Sequence, residues 1–558
     1  MKKYLIISIF FLAIFFRLQN LNWDANMHLH PDERFLTMVG NAMKLPPNFA
    51  VYLNSAVSTW NPANIGYPFF VYGLFPLTIN KIFALLLNTD SYNSFTLQGR
   101  LLSGIFDIIA LFFIYKIGSL LRRKYKLSDY FPIFSVFLYA IAVYPIQSSH
   151  FFTTDTFLNT FLLISFYASF VFYIKERLSY FILSALFFGL AISSKMSAVY
   201  MFPIIALMNV IPLIKKRNLL IFILYSFIYI LVLYGVIRIA SPYYFETDDI
   251  FNIAPNSQFL KSISDLRFMS SGKMLFPPAV QWFSKKPILF SLFNLSFIGF
   301  GILPFVLSLI GGFTIVRLFV IEIMKKRLKY FFDCLLGISI ILWIAGYFIY
   351  NSIQFTQSIR YLIFLFPFLA LLGGYGLSSI KIKKQGLRYI LFVGLLIWPL
   401  AFSSIYLFSN TRIEASRWIY KNIPNNSIIL SEYWDDPLPY PVLSGKQFQI
   451  EQMHVFDPDV EEKWNIMNTQ LQKADYYILS SNRGWGSIPS VPDKYPKMSI
   501  FYSDLFSGKT DYFLEKRFIP AYQYFLPFYP NSWINNWFEE AFTVYDHPSV
   551  FIYKNKNK

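Results

Sequence analysis

The sequence predicts a polytopic α-helical membrane protein of about eleven transmembrane helices, followed by a soluble α/β domain. Three observations predict it. Of 558 residues, 55% are hydrophobic and only 14% are charged, whereas soluble domains are nearer 25% charged. Apolar runs long enough to cross a bilayer recur through the first 409 residues. The net charge of +18 is also unevenly divided: residues 410–558 carry 15 basic and 17 acidic side chains, residues 1–409 carry 34 and 14. The cationic excess thus belongs to the apolar part, where it orients helices and does not mark a nucleic-acid surface. This composition rules out a disordered chain and an ordinary soluble enzyme. The single cysteine, Cys334, excludes an intramolecular disulfide and a cysteine-built metal site.

The apolar runs lie near 4–21, 99–121, 131–149, 156–174, 178–194, 197–214, 219–240, 288–316, 331–353, 360–380 and 387–409. Every second gap is cationic: Lys2 and Lys3; Arg122, Arg123, Lys124 and Lys126; Lys175 and Arg177; Lys215, Lys216 and Arg217. The series continues with Arg317, Lys325, Lys326, Arg327 and Lys329, then Lys381, Lys383, Lys384 and Arg388. Cationic loops stay in the cytoplasm, so the N-terminus is expected inside. The gaps 22–98, 150–155, 195–196, 241–287 and 354–359, and the domain from 410, are expected outside. Nine of the fourteen acidic residues in 1–409 fall in those outer gaps. Carboxylates do not set topology, so their concentration points either to chemistry there or simply to tolerance of charge.

Two segments need a decision. Tyr4–Phe16 follows Lys2 and Lys3 as a signal peptide would, but no small-residue cleavage site follows it, which favours a retained helix. Counting Tyr67–Leu87 as a span would invert every later loop, so it reads as an interfacial helix. Beyond residue 409, helix-like Ile413–Asn422 and Asp459–Leu471 alternate with β-rich Ser427–Ser431, Tyr476–Ser480 and Val550–Tyr553, a small α/β layer.

Candidate chemistry lies in the outer gaps. The first contains His28, His30, Asp32 and Glu33. Adjacent carboxylates point in different directions on a helix or strand, so one of the two suits a general base; a helix cap by Asp32 behind Pro31 is the plainer account. The second outer corner holds His150 and Asp155. Asp32, Asp155 and His150 would be the ligands of a divalent cation, but no spacing is diagnostic, so no metal cofactor is favoured and the option stays open. Outer cations are scarce. Lys195, Arg360 and Arg100 would suit a phosphate group or would snorkel to headgroups. Asp107 lies inside the second span, with Arg100 seven residues earlier as its expected partner. Glu432, Asp435 and Asp436 follow a predicted strand, where loops often bind ligands; capping and solvation explain them almost as well.

Several stretches resemble the GT-C superfamily of membrane glycosyltransferases, most closely the glycosyltransferase family 39-like enzymes, which include protein O-mannosyltransferases and the lipid A aminoarabinose transferase. They are NWD…HLHPDERFLTMV at 22–39, YPFFVYGLFPL at 67–77, GRLLSGIFD at 99–107, PIQSSHFFTTDTF at 145–157, GLAISSKMSA at 189–198 and RYLIFLFPFLAL at 360–371. In the outer domain TRIEASRWIYKNIP at 411–424, EYWDDPLPYP at 432–441, SSNRGWGSIP at 480–489 and FTVYDHPSVFIYK at 542–554 carry the likeness.

The resemblance implies a GT-C fold and an inverting transfer of sugar from a polyprenyl-phosphate donor to a protein, glycan or lipid acceptor on the outer face. It implies Asp32 as base, with Glu33 as neighbour or substitute, Asp155 as the second acidic residue, and Lys195 and Arg360 as donor-phosphate contacts. Glu432, Asp435 and Asp436 would lie on the acceptor side. The chain departs from the aminoarabinose transferase at Gly66-Tyr67-Pro68, where that enzyme has a Glu-Lys pair. A transporter or flippase, or a non-catalytic binder of sugar-lipids, is the competing expectation; a transporter would carry repeats and paired broken helices, and the sequence displays neither.

Overall fold

The computed structural model describes residues 2–273, 277–324, 331–381, 383–526 and 537–558. Lys325, Lys326, Arg327 and Lys329 of the basic series lie outside the described residues. Among those described, eight helices are long and apolar enough to cross a membrane, or nine if the bent pair Phe131–Ala140 and Val143–Ser149 is one span. The other two expected spans form the helices Lys2–Leu18 and Leu178–Ser194, of 17 residues each. At 1.5 Å per residue each is about 25 Å long, slightly short of a ~30 Å hydrocarbon core.

Two expected spans are modified. The run 288–316 is not one helix: Leu289–Phe293 runs into a π-turn at Asn294–Gly299, and Gly301, at φ +90°, separates that turn from Ile302–Met324. The run 131–149 bends by 58°. Arg17 explains how the bend is tolerated. Its guanidinium donates to the carbonyls of Ala140 (2.9 Å) and Tyr139 (3.2 Å), and its Nε pairs with Asp107 at 2.5 Å. A broken span survives in an apolar medium only when the carbonyls it frees find donors. Asp107 also accepts from the Tyr139 hydroxyl at 2.6 Å. The expected Arg100–Asp107 pair is therefore corrected: Asp107 belongs to Arg17.

The segment expected at the interface forms the helix Leu74–Leu87. Leu74, Leu77 and Ala84 are buried while Ile82, Phe83, Leu86 and Leu87 are exposed, an amphipathic arrangement suited to a surface-lying helix.

The C-terminal region is an α/β layer. Five strands, β1 (Ile428–Glu432), β2 (Gln449–Met453), β3 (Tyr476–Leu479), β4 (Tyr512–Phe518) and β5 (Val550–Asn555), pair in the order β2-β1-β3-β5-β4. β1 is parallel to both β2 and β3; β5 is antiparallel to β3 and β4. Helices Thr411–Asn422, Glu461–Lys473 and Pro496–Phe506 accompany the sheet.

This domain sits against the gaps expected to be outer and against the end of the run 131–149. Arg34 pairs with Asp436, Gln147 donates to the Phe542 carbonyl (2.8 Å), and the Glu540 N–H donates to Gln281 (2.9 Å). The Ile359 N–H reaches Glu539 at 2.7 Å. Basic gaps meet one another elsewhere, through Lys2–Asp129 (2.5 Å), Lys124–Asp333 (2.9 Å) and Lys216–Glu176 (3.5 Å). The alternation read from charge thus separates two groups of loops.

Candidate active site

The helix Pro31–Ala42 organises the site. Proline at the first helical position sets φ without sacrificing a hydrogen bond, and His30, not Asp32, is the cap: its Nδ1 accepts the Glu33 N–H at 3.4 Å. Asp32, Glu33 and Arg34 then leave the first turn about 100° apart. Each finds a different partner.

Asp32 pairs with Arg360, which comes from the 3₁₀ turn Ile359–Leu365. The Arg360 Nε also donates to Asp155 at 2.6 Å, the first residue of the helix Asp155–Lys175. The other Asp155 oxygen accepts from Lys195 Nζ at 2.6 Å. Lys195 ends the helix Leu178–Ser194 in an extended conformation and lies 5.5 Å from the Tyr361 ring centre. The turn at Lys195 is fixed by Gly73, whose N–H bonds the Ser194 carbonyl; a Cβ there would come within 2.3 Å of Ser194 backbone atoms. Four distant segments thus converge on two carboxylates and two cations, a neutral cluster.

Exposure is graded across the cluster. The side chains of Asp32, Arg360 and Lys195 are 23%, 24% and 19% exposed, whereas Asp155 is 3% exposed. Asp155 is a buried bracket between the two cations, whereas Asp32 stays part-exposed. Burial opposes ionisation of Asp32, but the Arg360 charge, then His30 and hydrogen bonds from Arg360 and Tyr72, outweigh it and hold the carboxyl well below the usual range. Burial pushes the His30 imidazole below its ordinary value despite the nearby Asp32 and Glu33. Its ring is flanked by Phe151 and Tyr545 at 4.4 and 4.3 Å between centroids. Tyr72 also lines a small groove between segments 61–74 and 241–262.

The remaining candidates lie elsewhere. Glu33 is buried on Arg100, which donates to it at 2.5 and 2.9 Å, and it accepts the Phe152 N–H at 2.7 Å. Arg100 is further held by Asp24 at 2.7 and 3.0 Å and by the Leu21 carbonyl. Both are saturated, which corrects the expectation of Glu33 as a base and Arg100 as a phosphate contact. His150 hydrogen-bonds the carbonyls of Ile146 and Gln19 and stacks on Tyr406 at 3.6 Å. His28 engages Asn93 and Thr96. The metal set Asp32, Asp155 and His150 does not assemble, because His150 is committed to backbone and Arg360 stands between the carboxylates. Among the described residues no group of three His, Cys, Asp or Glu side chains could hold a metal ion.

In the C-terminal domain, Glu432 is buried and accepts from Tyr477 and Tyr502, both at 2.6 Å. Burial pushes its carboxyl up to about 7. Gly484 lies so close that a Cβ would meet Glu432 at 2.4 Å. Glu432 is therefore interior, a correction to its reading as an acceptor contact. Asp435 accepts from Ser481 at 2.5 Å. Asp436, 30% exposed, takes a two-pronged bond from Arg34 at 2.7 and 3.1 Å.

Sequence reasoning missed Tyr72, Tyr545, Glu539 and the Arg34–Asp436 bridge. Tyr72 lies in one of the family-like stretches, but an uncharged phenol gave no reason to select it.

Residues 77–241 match the family described as dolichyl-phosphate-mannose-protein mannosyltransferase, in agreement with the family 39-like resemblance of the motifs. That stretch includes Asp155 and Lys195 and leaves out Asp32 and Arg360. No curated protein matches the chain. Solved structures similar to it include the apo oligosaccharyltransferase of Archaeoglobus fulgidus (TM-score 0.43, 14% identity, 78% of this chain and 63% of that one). Another is the Archaeoglobus fulgidus oligosaccharyltransferase AglB with an inhibitory peptide and a dolichol-phosphate (0.49, 12%, 89% and 72%). A third is ArnT from Cupriavidus metallidurans bound to undecaprenyl phosphate (0.42, 12%, 75% and 71%). The chain spans less than two thirds of the first of these.

Proposed function

We propose that the chain is an inverting glycosyltransferase that moves a sugar from a polyprenyl-phosphate donor to an acceptor on the outer face of the cell membrane. The observation that carries this reading is the Arg360 bridge between Asp32 and Asp155, with Lys195 on Asp155. A half-open carboxylate beside two cations is what the reaction needs. Attack of an acceptor hydroxyl on the anomeric carbon forms the new C–O bond and breaks the bond to the phosphate oxygen. Asp32 takes the hydroxyl proton. Charge builds on the departing polyprenyl phosphate, where Arg360 and Lys195 stabilise it in a site of low dielectric.

The resting cluster also suggests how the base is controlled. While paired with Arg360, Asp32 is a weak base. A donor phosphate competes for the same guanidinium, and the carboxylate it releases gains proton affinity. The base is thus strengthened when the donor is seated. A transporter or a non-catalytic sugar-lipid binder would use the cations equally well, but neither needs a carboxylate at their edge.

The test is donor recognition. Arg360→Ala and Lys195→Ala should each weaken binding of polyprenyl phosphate to the purified chain by about tenfold or more, as expected for loss of a charge-assisted contact. Unchanged binding in both variants would remove the phosphate cradle from the reading. Residues on hand complete this cycle without a divalent cation; transfer that EDTA removes and a divalent ion restores would overturn that part.

A further inference from the structure

The turn that presents Arg360 is held from the C-terminal domain. The first N–H groups of a helical turn have no acceptor within the turn. In Ile359–Leu365 the first such donor is the Ile359 N–H, and the Glu539 carboxylate accepts it at 2.7 Å. The Arg360 N–H is capped by the Ser358 hydroxyl at 3.3 Å, and Ser358 also hydrogen-bonds Glu539. Glu539 itself starts from a fixed point. Its N–H donates to Asn294 Oδ1 at 2.9 Å, and Asn294 Nδ2 donates to the Phe290 and Trp537 carbonyls at 2.8 and 2.9 Å. The Glu540 N–H donates to Gln281, and the Glu540 carboxylate pairs with Arg483. The π-turn Asn294–Gly299 packs on the same 3₁₀ turn, so closely that a Cβ on Gly299 would lie 2.6 Å from Ile359 Cδ1. The backbone under Arg360 is thus gripped by residues far along the chain.

The carboxyl also carries a charge beside the cluster. Glu539 is fully buried, and its Oε1 has no hydrogen-bond partner among the described residues. Burial pushes it up to about 7, against the hydrogen bonds from Ser358 and Ile359. The titratable groups facing it are Arg360 and Tyr361 from the 3₁₀ turn, Tyr144 from the helix Val143–Ser149, and Glu540 with its partner Arg483. The π-turn brings none. Arg360 favours the ionised form of Glu539 and Glu540 opposes it. The Arg360 side chain itself is bonded to Asp32 and Asp155, so Glu539 stands outside that neutral set. Ionised, it adds an uncompensated negative charge next to Arg360; protonated, it adds none. An incoming phosphate anion is repelled less in the second state.

We propose that Glu539 is a positioning residue for the donor phosphate: it holds the turn that aims Arg360, and it takes up a proton when the phosphate is seated. This rests on the reading of Arg360 and Lys195 as phosphate contacts and adds a control by pH to it. Binding and protonation are reciprocal. Affinity is therefore complete while Glu539 is protonated and declines as pH rises through about 7.

The test is binding of polyprenyl phosphate to the full chain, purified in detergent, at about pH 6 and about pH 8. Wild type, Glu539→Gln and Glu539→Ala are compared. The ratio of wild-type to Glu539→Gln affinity cancels the titration of the phosphate itself. The amide is neutral throughout and still offers an acceptor to the Ile359 N–H, so this ratio should fall about fivefold from the lower to the higher pH. Glu539→Ala leaves that N–H buried without an acceptor and should bind about tenfold more weakly at both pH values, with Glu539→Gln restoring the wild-type value at the lower one. A constant ratio would overturn the proton coupling, and wild-type binding by Glu539→Ala would overturn the positioning role. Melting curves guard against misfolding; if the alanine variant does not fold, the glutamine ratio alone decides. Absence of binding by the wild type at either pH would defeat the phosphate reading and Glu539 with it, whereas a constant ratio with binding intact would defeat Glu539 alone.

Discussion

Arg100 and Arg360 each bridge two carboxylates, and the adjacent residues Glu33 and Asp32 are divided between them. Around Arg100, the guanidinium and its partners Asp24 and Glu33 are at most 1% exposed, and the Leu21 carbonyl and Phe152 N–H use up further hydrogen-bonding capacity. Around Arg360, two of the three side chains are about a quarter exposed. The indole of Trp23 covers the Arg100 guanidinium at 4.8 Å, whereas Asp32 accepts a hydrogen bond from the Tyr72 hydroxyl. Each sets one arginine against two carboxylates, yet the two differ in character. A sealed, saturated triad fixes the segment between the first two long helices; a part-exposed one can exchange a partner.

Substitutions can break this contrast. Asp32→Asn has the largest expected effect, a loss of about 10²–10⁴-fold in kcat for sugar transfer, the range for removal of a general base, with polyprenyl phosphate binding retained. Transfer at the wild-type rate would take Asp32 out of the chemistry. Arg100→Ala should act on stability instead. Leaving Asp24 and Glu33 buried without their partner costs about 3–5 kcal/mol, read as a lowered melting point and reduced yield, with near-normal turnover per folded molecule. Loss of turnover in well-folded protein would erase the distinction between the two arginines.

The smallest effect concerns pH. Glu432 has its proton affinity raised in the folded state, so folding binds protons and this contribution is complete below the ordinary glutamate value. It is lost as pH rises through about 7. Glu432→Gln should therefore flatten the fall in melting temperature of the full chain between about pH 5 and 7. An unaltered slope would assign the pH dependence elsewhere, with Glu539, also pushed up to about 7 by burial, as the next group to test.

Much of this arrangement was legible in the sequence. Cation alternation separated the two groups of loops, and scarcity of outer cations picked out Lys195 and Arg360. The same argument picked out Arg100 wrongly, because sequence reveals a charge but not how many partners saturate it. The Arg17–Asp107 pair has no local signature, because its two residues lie 90 positions apart. The Arg34–Asp436 bridge joins residues 402 positions apart. β2 and β4 escaped notice because they are edge strands: Gln449–Met453 is buried only at its last residue, and most of Tyr512–Phe518 faces outward. Without one covered face, no alternation is required. The broken run 288–316 was hidden by its uniform apolarity.

The start of the helix at Pro31 has a further consequence. Asp32, Glu33 and Arg34 fan from one turn to Arg360, Arg100 and Asp436, so the part-exposed cluster, the buried scaffold and the C-terminal domain are wired through three successive positions. Slipping this stretch by one residue would rotate all three by about 100° and send each to the wrong terminal. The tolerance of the whole assembly to indels is thus set by a handful of residues ahead of Pro31.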